Sequence, residues 1–232
     1  MSTAIDSMFE RLSEIPLFRG ASKDLMERTV GMAKFHFLKY ASGQTIVSAG
    51  EPCSHARFIL DGSVRISIVN ADERFRIGQT LTGPDVISPD FLFGHTTLYP
   101  GTVTAIGAVN TVQISKNDLT KILQSDTIFL YNMLNYLSMN SQKCIEGILS
   151  LSVGSIEERI ALWVVAMTQP TSSDVTLSCR QRDLYSVFGV QRSSFIAALD
   201  RLRDHGIIDY SSGEIRVLDR RAMLSVMRHG LE

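Results

Sequence analysis

Cysteine is scarce in this chain, and its scarcity is informative. Three cysteines in 232 residues (Cys53, Cys144 and Cys179) are too few and too scattered for a disulfide framework or a four-thiolate metal site. No apolar run is longer than the eight residues Ile160–Met167, far short of the ~20 that span a bilayer, so no membrane partner is expected. The opening stretch MSTAIDSMFERL carries acids early and has no apolar core, which argues against a secretory signal. A cytoplasmic protein fits these absences. Also missing are a paired acid/base constellation, a nucleophile elbow, a phosphate loop and a metal motif, so no enzyme is expected. Lysine disappears after Lys143, leaving arginine as the only strong cation of the C-terminal third.

What remains falls into three regions. Between about Ala33 and Lys116, short runs of β-branched and aromatic residues recur: Phe35–Tyr40, Arg57–Leu60, Val64–Val69, Phe75–Leu81, Val103–Ala108 and Val112–Ser115. Several alternate apolar with polar, which marks strands with one buried face. Turn residues such as Ser42-Gly43, Asp61-Gly62 and Pro100-Gly101 separate them. Many short strands with regular turns indicate a sandwich or barrel-like roll. From Asp126 to Leu149 the period changes. Leu130, Leu134, Leu137, Ile145 and Ile148 keep to one stripe of a helix about 36 Å long, suited to pairing with a second copy of itself. Domains are therefore expected at 1–125, 126–150 and 151–232.

The last third carries the sharpest signals. Ser155-Ile-Glu-Glu158 reads as a capping box that opens a helix running to about Thr168, with Pro170–Asp174 as a loop. Ser178 and Gln181 suit the cap of a next helix, in which Leu184, Val187 and Phe188 share a face. Gly189 supplies a tight turn. A second helix follows, with Phe195, Ala198, Leu199 and Leu202 on its buried side and Gln191–Ser194 facing outward. Residues 206–218 alternate around a Ser-Ser-Gly turn, as a hairpin does. Two helices, a glycine turn and a hairpin describe a winged helix-turn-helix. Its segment 178–203 holds five arginines against two aspartates. A recognition helix enters the major groove by its N-terminal end, so Arg192 is the expected base reader. Arg180, Gln181, Arg182, Gln191, Ser193 and Ser194 are its expected companions on the DNA face.

In this order and spacing, several stretches resemble the cyclic-AMP receptor protein/FNR (Crp/Fnr) family of bacterial transcription regulators. They are Ile15-Pro-Leu-Phe-Arg-Gly20, Ser42–Glu51, Phe58–Ile66, Ser155–Ile160, the helix-turn-helix and Leu202–Ile208, and the likeness covers nearly the whole chain. The resemblance implies an α+β protein. Its parts would be an N-terminal β-roll of the cyclic-nucleotide-binding jelly-roll kind, a long dimerisation helix and a C-terminal winged helix-turn-helix. It further implies a homodimer on a near-palindromic double-stranded DNA operator, and RNA polymerase as a partner.

This chain departs from that family where cyclic AMP would sit. The family's cassette supplies a glutamate for the ribose and an arginine for the cyclic phosphate; here the matching positions fall near Pro89 and Pro100. An anion buried without its cation is heavily penalised, so the effector is expected not to be cyclic AMP. Cys144-Ile145 stands where cyclic-AMP binders carry a Thr-Ser pair. The surrounding residues Ser88, Asp90, His95, Thr96, Thr97, Tyr99, Thr102 and Cys144 offer aromatic and hydroxyl groups for an uncharged small molecule. Equally, those side chains could simply fill the roll. Haem, on His36, His55, His95 or Met139, and a redox response through Cys53 or Cys144 are the alternatives of the same architecture. The recognition helix departs as well: Ser193 and Ala197 stand where many members carry glutamate and arginine. Fewer charged readers imply a divergent operator and more reliance on phosphate contacts and DNA shape.

Overall fold

The computed structural model describes residues 9–149 and 154–231, so the junction expected between residues 150 and 151 lies outside the described residues. The chain divides into two compact units: Met1–Arg65 with Leu81–Met139, and Ile66–Thr80 with Asn140–Glu232. The second unit therefore contains a hairpin taken from the middle of the β-rich region. Among the described residues, no helix is long and apolar enough to cross a membrane.

In the first unit, β1 (Phe35–Tyr40) lies antiparallel to β6 (Gly101–Ser115), from Phe35 opposite Ile114 to Tyr40 opposite Val109. The short β2 (Thr45–Val47) also pairs with β6. The long β3 (His55–Val69) pairs with β5 (Asp85–Ile87). Two pairs of expected strands are in fact single ones, because β3 and β6 each run for 15 residues. Asp61-Gly62 is no turn; the strand continues through it with Gly62 at φ +89°. A β-carbon there would collide with the carbonyl of Ala108, so glycine is what lets the two backbones meet. Ile59, Val64, Leu81, Val103, Val112 and Ile114 fill the interior of the roll.

Helices close one side. Ser22 caps α1 (Lys23–Met32) and Ser115 caps α2 (Lys116–Ser125), each hydroxyl accepting from the third following amide. Phe18 from the Ile15–Phe18 stretch is fully buried among Phe35, Phe58 and Phe129, with ring centroids 5.6–6.2 Å away. Phe129 belongs to α3 (Thr127–Leu149), a 23-residue helix and thus about 35 Å long.

The second unit is built on the hairpin of β3 and β4 (Phe75–Thr82), followed by α4 (Ile156–Ala166), β7 (Ser173–Cys179), α5 (Gln181–Val187), α6 (Arg192–Asp204), β8 (Ile208–Tyr210), β9 (Glu214–Val217) and α7 (Arg220–His229). The expected capping box is present: Ser155 accepts from the amide of Glu158, whose carboxylate accepts from the amide of Ser155. Strand β7 replaces part of the loop expected at Pro170–Asp174, and Ser178 lies inside it rather than capping a helix. β7 turns Val175, Leu177 and Cys179 inward, pairs with β9 on one side and with β4 on the other, Phe75 opposite Cys179. Ile77 of β4 thereby joins the core formed by Ile160, Val164, Leu184, Phe188, Phe195 and Leu199.

Candidate functional site

Burial of one face orients the two helices of the candidate DNA-binding face. Leu184 and Phe188 anchor α5; Phe195, Ala198, Leu199 and Leu202, all fully buried, anchor α6. Between them Gly189 takes φ +64° with open space around it, so its role is conformational: it makes the left-handed turn. Arg159 of α4 holds that turn by donating from Nη1 to the carbonyl of Phe188 at 3.1 Å. With the buried side fixed, Gln191, Arg192, Ser193 and Ser194 are all exposed at the start of α6.

That helix begins with Gln191 as its cap residue, without a side-chain cap and without an acid in the first turn. Its first amides have no intrahelical acceptor and lie at the positive end of the helix dipole, the arrangement that receives a phosphate oxygen. Arg180 and Arg182 are exposed at the start of α5. Gln181 turns to the wing instead, donating from Nε2 to the carbonyl of Ser211 at 3.0 Å, which fastens the β8–β9 turn to α5.

The five arginines of this segment do not act alike. Arg201 pairs with Glu157, whose carboxylate is almost fully buried. Arg203 pairs with Asp200 at 2.7 Å and lies 5.1 Å from the ring of Tyr210, whose hydroxyl donates to Asp200 at 2.6 Å. Hydrogen bonding to Asp200, joined by burial and the aspartate's charge, raises the Tyr210 hydroxyl above its ordinary value. Arg180, Arg182 and Arg192 have no ion pair among the described residues, and they are the exposed cations of this face. Sequence counting gives a net charge of +3 here and misses Glu157, which comes from another helix.

The residues expected around an effector differ in burial and in their partners. Ser88 is buried with φ +45° just before Pro89, and Tyr99 is buried with its hydroxyl donating to the carbonyl of His55 at 3.2 Å. Thr102 accepts from the amide of Ala49 at 3.2 Å, and the carbonyl of Thr97 accepts from the amide of Cys53. Asp90, His95 and Thr96 are exposed. Cys144 is exposed and belongs to the other unit. Of the haem candidates, His36 and His95 are exposed, His55 contacts the Ser54 hydroxyl at 2.9 Å and Met139 is exposed. No group of three histidine, cysteine or acid side chains converges as a metal site among the described residues.

One feature of the roll is invisible in the linear sequence. Register places Arg57 opposite Ile87, next to Ser88, so a cation does reach the cassette region, from β3. Its side chain, 13% exposed, pairs with Glu51 at 3.3 Å. Lys116 lies 5.0 Å over the ring of Phe93. Tyr99 is pushed up to about 12, chiefly by burial and against the pull of Arg57. Burial likewise raises the Cys53 thiol, and raises Cys179 to about 11 with help from Asp183. Neither buried cysteine is poised as a thiolate. The cavity beneath Ala56, Phe58, Val86, Pro89, Leu92 and Met133 holds only about 20 Å³ and has apolar walls. It has room for about one water and none for a drug-sized ligand.

Two family models match successive parts of the chain. The cyclic nucleotide-binding domain family matches residues 37–126, and the Crp-like helix-turn-helix domain family matches residues 158–226. The cAMP-activated global transcriptional regulator Vfr of Pseudomonas aeruginosa is 24% identical over 187 residues, covering 76% of this chain and 86% of that protein. The cAMP-activated global transcriptional regulator CRP of Pasteurella multocida is 22% identical over 193 residues, covering 80% and 91%. The catabolite activator protein of Thermus thermophilus shares the fold, with a TM-score of 0.51 at 14% identity over 93% of this chain and 99% of that one.

Proposed function

The chain belongs to the Crp/Fnr family, whose members are transcription regulators and not enzymes, and from that premise we propose that it is a cytoplasmic homodimer reading a near-palindromic operator through Arg192. It is a DNA-binding regulator with an effector-type domain. The observation that carries the reading is the exposed, uncapped first turn of α6, with Gln191–Ser194 outward and Arg180 and Arg182 beside it. Arg192 can place its planar fork on guanine O6 and N7, while the flanking arginines take phosphates. RNA polymerase is the further partner that the family suggests.

Dimerisation rests on α3. Leu130, Leu134, Ile145 and Ile148 are exposed, Ile148 at 68%, and Leu137 is half-buried. Such a stripe on one face of a long helix is a surface that a second copy would cover. The double variant Leu134→Asp, Ile148→Asp is expected to sediment as a monomer and to lose operator binding. A monomeric wild-type protein would remove this part of the reading.

Signal reception is assigned to the roll, with an effector other than cyclic AMP. Support comes from Pro89 and Pro100 in the degenerate cassette and from the Arg57–Glu51 pair, in which the cation beside Ser88 is already neutralised. The cavity beneath Ala56 and Phe58 is too small for a drug-sized ligand, so an effector seated there would open the roll, shifting the protein between two arrangements. The test of DNA reading is Arg192→Ala. Discrimination at one guanine is expected to drop by about 1–3 kcal/mol per half-site, with dimerisation intact. Unchanged operator preference would remove Arg192 from that role.

A further inference from the structure

Four aromatic rings form an unbroken column inside the second unit. Phe75 at the start of β4 lies 5.3 Å from Trp163 of α4, centroid to centroid. Trp163 meets Phe188 edge to face at 5.7 Å, and Phe188 stacks on Phe195 at 5.9 Å. All three spacings fall in the range where aromatic pairs attract beyond their burial. The column ends under the candidate reading face. Phe195 follows Ser194 directly and lies one helical turn after Arg192, while Phe188 ends α5 just before the Gly189 turn.

Phe75 is the surprising member. It comes from the hairpin Ile66–Thr80, some ninety residues before Trp163, and is held by the β4–β7 ladder opposite Cys179. We infer that Phe75 is a positioning residue for DNA recognition: through Trp163, Phe188 and Phe195 it sets the orientation of the first turn of α6. Close-packed interiors transmit displacement rather than absorb it, so removing the outermost ring lets the column relax. Phe195 is fully buried and cannot relax without carrying Arg192 with it. The inference rests on the reading of Gln191–Ser194 as the DNA-contacting face.

Trp163 is the single tryptophan of the chain, so its emission reports on the column directly. The experiment uses the full-length protein and an operator selected with it. Phe75→Leu keeps an apolar side chain and serves as the variant that folds if Phe75→Ala does not. Phe75→Tyr keeps the ring. Arg74→Ala, at an exposed site on the same hairpin paired only with its neighbour Asp72, is the control. Phe75→Leu is expected to shift Trp163 emission and to weaken operator binding about tenfold while non-specific DNA binding stays within twofold. Phe75→Tyr is expected to restore operator affinity to within twofold, and Arg74→Ala to change neither emission nor discrimination. Wild-type affinity and discrimination in Phe75→Leu, despite shifted emission, would overturn the inference. So would equal losses for operator and non-specific DNA. Absence of sequence-specific binding by the wild-type protein would instead defeat the DNA reading on which the inference stands.

Discussion

The cassette region of the roll and the tip of α6 treat their polar groups in opposite ways. In the roll, charged and polar side chains are answered from within: Arg57 by Glu51, Tyr99 by the carbonyl of His55, Thr102 by the amide of Ala49. At the tip of α6, Gln191 leaves its side chain out of the cap, and no acid offsets the first turn. A surface left electrostatically open is ready for an anionic partner, whereas a filled interior must rearrange before it binds anything. In the proposed reading, the DNA-contacting face is preformed and the effector site is not.

Five substitutions or measurements sharpen this contrast. The largest effect is expected at Phe195, the buried pivot beneath the open face. Phe195→Ala should destabilise the second unit by about 3–5 kcal/mol, read by denaturant unfolding followed through Trp163. Next come the two arginines, whose roles should separate. Arg57→Ala should cost the fold about 1–2 kcal/mol by orphaning Glu51, discounted because Glu51 is partly exposed, with operator preference unchanged. Arg192→Ala should leave stability within about 0.5 kcal/mol of wild type, as exposed positions do, while losing discrimination. Equal stability losses in both variants would erase the distinction between the units.

Smaller effects follow. Alkylation near neutral pH should label exposed Cys144 first and leave Cys53 and Cys179 slow, since burial raises both thiols. Mass spectrometry of partially labelled protein checks the order. The least effect is on acid stability. Burial, with Arg57 and His36 nearby, lowers His55 below its ordinary 6.5, so the unfolded chain takes the proton more readily. The contribution of His55 is complete above pH 6.5 and is lost as pH falls through the folded value. Unfolding at pH 7.5 and pH 5 should show a weaker dependence in His55→Gln than in wild type.

The sequence made local features legible and left distant ones hidden. Helix α6, its buried residues Phe195, Ala198, Leu199 and Leu202, and the capping box at Ser155 depend on neighbours within a turn or two, and each appears where expected. Strand β1 also lies where its composition placed it. β7 was obscured because Ser173, Asp174 and Ser178 carry loop and cap chemistry, while its partner β4 lies about a hundred residues away. A separation of 44 residues likewise hides the pairing of Glu157 with Arg201, which takes one arginine out of the segment's free charge. Arg57 is hidden from a linear reading of the cassette because only the β3–β5 register, not spacing along the chain, brings it beside Ser88.

Everything proposed for the second unit depends on sequence reading by the open face of α6. The most direct measurement is selection of bound DNA from a random duplex library by the full-length protein, with and without cell extract. An enriched motif with two inverted half-sites about one helical turn apart, containing a guanine that Arg192→Ala no longer selects, is the expected result. A pool that stays random under both conditions would contradict it.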